Sequence, residues 1–203
     1  MKLTYSAWAM PRLPVDQQVE IIRSLGYAGI ELVSGPAASL DATVVDPAER
    51  KRIRKLVDDA GLELPSIAGH GDPLEPDAEK LAANLARVRA GLDLAADLAG
   101  PSGPPCLVCM GYGKPEQYET QRHQLVDRFG ELARYAATRG VVLALEASRL
   151  GCVGRAANGG RSSALTISPN RAQLGRGSWV DLARSVRFRT MTPSHAGSGD
   201  APT

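Results

Sequence analysis

Val141-Val142-Leu143-Ala144-Leu145-Glu146 is a short apolar run that ends on a carboxylate, and a glycine, Gly140, separates it from a preceding helical stretch. Continuous apolar character over so few residues is the pattern of a parallel strand covered on both faces. Four earlier runs, at 2–6, 28–33, 62–68 and 105–110, share it. The stretches between them carry helical periodicity. Val15, Val19 and Ile22 fall on one face, as do Ile53, Leu56, Val57 and Ala60. Leu81, Leu85, Val88, Leu92 and Ala95 form the longest stripe, and Leu125, Phe129, Leu132 and Ala136 the next.

The punctuation agrees with that division. Asp46-Pro47-Ala48-Glu49 supplies an N-cap, a proline at the first helical position and an acid three residues after the cap. Gly26, Gly61 and Gly140 each follow a helical run and precede a strand, the place of a left-handed C-terminal residue. The order is βαβαβαβαβ, with right-handed crossovers expected. Two α/β architectures fit it: a closed (β/α) barrel and an open doubly wound sheet. The open flavodoxin-like sheet would require a phosphate-binding loop after the first strand, and Ala7-Trp8-Ala9-Met10-Pro11 is not one.

After Ala147 the character changes. Residues 1–147 carry 16 Lys+Arg against 20 Asp+Glu, net −4, whereas residues 148–203 carry eight Arg and two Asp, net +6. Leu165-Thr166-Ile167 reads as a short strand and Val180–Val186 as a short helix; Gly151–Arg161 and Pro193–Thr203 have the composition of disordered chain. A complete (β/α)8 barrel takes about 250 residues. Three further units of about 30 residues each do not fit in the 56 residues that remain. The expected organisation is a partial barrel of about five βα units over 1–147 and an Arg/Gly/Ser-rich irregular tail over 148–203. A shifted reading frame in a GC-rich gene would produce such a tail, and so would a natural truncation with a new ending; composition favours the first.

The apolar fraction of 43% is ordinary for a globular chain, and 4% aromatic is low. No stretch approaches the roughly 18 apolar residues of a membrane span. The start, Met1-Lys2-Leu3-Thr4-Tyr5-Ser6, has no long apolar segment of a secretory signal. Three cysteines argue against a disulfide framework, so a reducing cytoplasm is the expected compartment.

Among residues that carry chemistry, Glu146 stands first. In parallel α/β folds the C-terminal ends of the strands form the active-site face, and a carboxylate is costly there unless it is paired or metal-bound. Strand parity puts Val142, Ala144 and Glu146 on one face, which points Glu146 inward; the alternative is an acid reaching solvent. His70 closes Leu64-Pro65-Ser66-Ile67-Ala68-Gly69-His70 at the same end, where Gly69 and Gly71 let the backbone present the imidazole. Glu31 stands inside the apolar run Gly29-Ile30-Glu31-Leu32-Val33, as a pocket residue or one half of an internal pair. Tyr5 and Trp8 could stack on a sugar face or plug the mouth of a barrel. Cys106-Leu107-Val108-Cys109 has C-x-x-C spacing, but residues three apart on a strand face opposite sides, so buried thiols are the better reading. Gly111-Tyr112-Gly113 lacks the third glycine of a dinucleotide fingerprint. Asp72 and Glu75 are expected in a solvent-facing loop, and His195 has no supporting pattern.

The first strand with Trp8, the run Leu25-Gly26-Tyr27-Ala28-Gly29-Ile30-Glu31-Leu32, His70 and Leu143-Ala144-Leu145-Glu146 together resemble the xylose isomerase-like TIM-barrel superfamily, over residues 1–147. The resemblance implies a divalent metal, Mn, Mg, Co or Zn, at the C-terminal mouth, with the glutamate ending strand five as a ligand; Glu146 matches it. It also implies an Asp after strand six, a His after strand seven and a Glu after strand eight. In the isomerases and epimerases of the superfamily the two glutamates move the substrate proton through a metal-stabilised enediolate, and a histidine in the place of His70 lines the pocket.

This chain departs from that pattern after Glu146. No further glutamate follows, and Asp181, Asp200 and His195 have no strand-end context. The resulting expectation is a metal-dependent isomerase or epimerase of a small sugar or hydroxy-carbonyl compound, impaired in this chain. The rival is an inactive fragment, or a binding module with a basic tail. The expected partner is a small carbohydrate, with no membrane. Endonuclease IV-type DNA chemistry, which needs several metals and many histidines, is not expected with only His70 and His123 in the body. Copies are expected to associate or aggregate through an open sheet edge after the fifth strand.

Overall fold

In a computed structural model the chain is described over residues 2–110, 113, 118–146 and 164–167. The Val180–Val186 helix and the rest of the 148–203 tail apart from 164–167 fall outside the described residues. The elements follow the order read from the sequence: β1 (Thr4–Ser6), a single 3-10 turn (Ala7–Ala9), α1 (Val15–Ser24), β2 (Gly29–Ser34), α2 (Pro47–Asp59), β3 (Glu63–Gly69), α3 (Ala78–Asp97), β4 (Cys106–Met110), α4 (Tyr118–Thr138), β5 (Leu143–Glu146) and β6 (Ala164–Ile167). Asp46 accepts the amide of Glu49, as the N-cap reading requires. Gly26, Gly61 and Gly140 sit at φ 78°, 69° and 67°. No described helix is long and apolar enough to cross a membrane.

The sheet runs β1-β2-β3-β4-β5-β6, with the first five strands parallel. Strictly sequential order separates the two architectures left open above. Each right-handed crossover then carries its helix to the same side of the sheet, as in a (β/α) barrel and not in a doubly wound sheet. The packing is one-sided accordingly. Ile30, Leu32, Ile67, Leu107, Leu143 and Leu145 turn toward the helices and are fully buried against stripes that include Val19, Ile22, Ile53, Val88, Leu92, Leu125 and Phe129. Each such Leu or Ile contributes roughly 1.5–3 kcal/mol relative to exposure. On the other face, which would line a barrel interior, the buried apolar cluster among the described residues is the small group Ala7, Val33 and Ala68.

Register arranges that inner face in rows. Ser6, Glu31, Ser66 and Cys106 pair across β1 to β4, and Val33, Ala68, Val108 and Ala144 across β2 to β5. Between β2 and β3 the pairing jumps from Gly29–Glu63 to Glu31–Ser66, so three residues of β3 oppose two of β2. Pro65, which has no amide to give a ladder, lies inside this bulge. The bulge explains why Leu64 and Ile67, of opposite parity, both reach the helix side.

One expectation is corrected. The edge of β5 is not open, because β6 pairs with it antiparallel over Leu143–Glu146. The edge without a neighbour among the described strands is that of β1.

Candidate functional site

The C-terminal ends of β1, β3, β4 and β5 bring three of the sequence candidates to one mouth. After β1 the chain turns immediately, with the amide of Trp8 donated to Ser6 Oγ at 3.3 Å. The turn presents the Trp8 indole at the surface, 58% exposed. His70 follows β3, and its ring stands edge-on to Trp8 with centroids 5.3 Å apart and planes at 86°. The amide of Met110, the last residue of β4, donates to His70 Nδ1 at 3.2 Å. Met110 pairs in register with Glu146, the last residue of β5. Trp8, His70 and Glu146 thus lie at strand ends on the same side of the sheet, with Met110 between the last two. Glu146 is exposed, at the open rim.

Burial pushes the His70 pKa below the usual histidine value, while the charges of Glu146 and Glu31 pull against that shift. With Nδ1 accepting a backbone amide, the proton resides on Nε2.

Glu31 lies deeper, two rows below the mouth. Its carboxylate accepts Ser6 Oγ at 2.6 Å and Ser66 Oγ at 2.7 Å, so both oxygens are occupied by hydroxyls from the neighbouring strands. It is a satisfied polar floor rather than a rim group. Tyr5 is not part of the site. It alternates with Ser6 along β1 and packs on the helix side, its ring 5.1 Å from that of Tyr27. Cys109 is buried on the helix side with its thiol pushed up to about 11, and Cys106 faces the other way with its thiol also raised by burial. The two form no pair, as parity requires. Asp72 is half-buried instead of solvent-facing, its carboxylate accepting the amide of Leu74 at 2.7 Å.

Sequence reasoning missed Gln18. This residue is 2% exposed on the inward stripe of α1. Its Nε2 lies 2.7 Å from Leu13 O, 3.2 Å from Met10 O and 3.2 Å from Ser39 Oγ. One amide thereby ties the loop that carries Trp8 to the loop after β2, and the amide of Ser39 adds a bond to Pro11 O. The available signal was an amide between Val15 and Ile22 on an apolar stripe, where a polar group persists only with partners. Gln18→Leu is expected to cost about 1–3 kcal/mol, because it takes the 2.7 Å donor away from the part-buried Leu13 O and cuts the tie to Ser39. A urea melt gives that value, and Trp8 should lose its fixed environment in near-UV circular dichroism. Unchanged stability and spectrum would refute this role.

Among the described residues no three His, Cys, Asp or Glu side chains gather as a metal-holding group.

A sequence model of the xylose isomerase-like TIM barrel matches residues 19–159. No curated protein matches the chain. Solved structures do. A 3-keto-D-glucoside 4-epimerase from E. coli shares 18% identity at a TM-score of 0.54, over 71% of this chain and 55% of that one. A xylose isomerase-like TIM barrel protein from Mycobacterium smegmatis, in complex with magnesium, shares 23% at 0.52, over 70% and 50%. A probable 3-DHS dehydratase from Bacillus anthracis shares 17% at 0.57, over 75% and 54%. The chain spans about half the length of these structures, and at such identities the likeness is one of fold.

Proposed function

The chain belongs to the xylose isomerase-like TIM barrel family, and from that premise we propose that it carries the first half of a site for isomerising or epimerising a small sugar or hydroxy-carbonyl compound, impaired in the 203-residue chain by itself. The observation that carries this reading is the placement of Trp8, His70 and Glu146 at strand ends on one mouth. Trp8 offers an exposed ring on which the C–H face of a sugar can stack. Glu146 is the carboxylate placed to take a carbon-bound proton next to a carbonyl. His70 borders the pocket between them, and Glu31 contributes negative charge from the floor.

The divalent metal implied by the family does not fit the described donors. Glu146 is one carboxylate, His70 Nδ1 is occupied by the Met110 amide, and both oxygens of Glu31 hold serine hydroxyls. A hard cation needs several oxygen or nitrogen ligands. The same shortage favours the second reading, an inactive sugar-binding module whose basic tail contacts a partner. Copies would associate through the unpaired edge of β1.

Sugar binding separates both readings from a chain with no site. Tryptophan fluorescence of the chain, titrated with ketohexoses, should show saturable change in the millimolar range, absent in Trp8→Phe. No saturable response to any ketohexose or aldopentose would overturn the proposal.

A further inference from the structure

We infer that His70 acts as a neutral hydrogen-bond donor of fixed orientation, whose Nε2–H takes an oxygen of a small sugar standing against Trp8, and that its ring is not the base of the reaction. The inference rests on the sugar-site reading above and deepens it.

The geometry carries the argument. The Met110 amide points its hydrogen at Nδ1, so Nδ1 must hold a lone pair. A histidine base working through Nε2 needs the opposite tautomer, with the hydrogen on Nδ1. That hydrogen would then face the Met110 N–H, donor against donor, and the amide would lose its acceptor. Ring rotation is opposed from the other side by Trp8, packed edge-on at 5.3 Å.

The backbone beneath the ring is equally fixed. A Cβ on Gly71 would lie 2.6 Å from Asn84 O and one on Gly69 2.7 Å from Leu107 Cδ1, so β3 and the start of the following loop sit tightly on α3 and β4. Nε2 has no partner among the described residues, yet it is not one of the nitrogens sealed away from solvent without one. A lone donor at the mouth, beside an aromatic ring, suits an acceptor such as a carbonyl or hydroxyl oxygen. Glu31 and Glu146 are the charged groups that bear on the ring, and the lowered pKa shows that they do not outweigh burial.

The test uses the 203-residue chain labelled with 15N-histidine, its His70 signals assigned by their loss in His70→Gln. At neutral pH the Nε2–H tautomer is expected, and titration with D-fructose should shift the Nε2 signal along the binding curve. His70→Gln, whose amide keeps a donor near Nε2, should hold affinity within about threefold, and His70→Phe should lose about tenfold. The Nδ1–H tautomer or an imidazolium overturns the inference. Sugar binding that leaves the His70 signals unmoved overturns it too, while the sugar-site reading stands. Absence of any sugar binding to the wild-type chain removes both. If His70→Phe fails to fold, the tautomer and the Nε2 shift of the native chain decide.

Discussion

Gly71→Ala is expected to lower stability by about 2–3 kcal/mol and to erase the His70 tautomer signature, although glycine-to-alanine changes outside left-handed positions usually stabilise. The added Cβ would lie 2.6 Å from Asn84 O and 2.9 Å from Val88 Cγ2. A flexible side-chain tip could move away, but Asn84 O is helix backbone. Nor is the residue free to retreat. Asn84 Nδ2 donates to Asp72 O, and the thiol of Cys109 leans on Gly71 O. The strain is relieved by lifting the loop that starts at His70, which breaks the Met110 amide bond. Gly35→Ala is the control, since nothing lies within 4 Å of its Cβ position; it should stay within about 0.5 kcal/mol of wild type. Urea melts of the two variants decide the matter, and equal stability would show that the β3–α3 packing is looser than the distances indicate.

Those contacts also show where sequence reading stops. All five parallel strands were legible because each is a short apolar run between a C-terminal glycine or loop and a capped helix. Parity also sorted Cys106 from Cys109 correctly. It sufficed for Tyr5 as well, since a β1 that turns Ser6 inward turns Tyr5 toward the helices; pairing Tyr5 with Trp8 by nearness in sequence ignored that alternation.

The depth of Glu31 was not legible. It depends on the register across β2 and β3, which the bulge at Leu64-Pro65 shifts, and on hydroxyls from Ser6 and Ser66 that are 25 and 35 residues away. Gln18 was hidden for the same reason: its value lies in carbonyls of two loops, not in its own neighbours on α1. The antiparallel seat of β6 on β5 is a tertiary choice that composition cannot make. Leu165-Thr166-Ile167 could be read as a strand, but not which edge it covers.

The 203-residue chain by itself is expected to show no measurable turnover of ketohexoses, and Mn²⁺ binding no tighter than the millimolar range. Moving a proton between carbons needs a group to remove it and a group to return it, and a positioned acid–base residue contributes about 10²–10⁴-fold to such a step. Glu146 supplies one carboxylate at the rim. Glu31, two rows below the mouth, is held by two serines. Beyond Glu146 the sequence offers no glutamate, only Asp181, Asp200 and His195. Ligand count governs the ion in the same way: one free carboxylate holds a hard cation weakly, and Glu146→Ala should then change Mn²⁺ affinity little more than any surface charge does. Calorimetry with Mn²⁺ and an epimerase assay, each on wild type and Glu146→Ala, provide the check. Micromolar affinity that the substitution abolishes, together with turnover in the wild type, would mean that residues after 147 complete the site, and the reading of this chain as an impaired half-site would fall. Sugar binding without turnover or metal affinity leaves Trp8 and His70 as the working part of the mouth, with recognition retained and proton transfer missing.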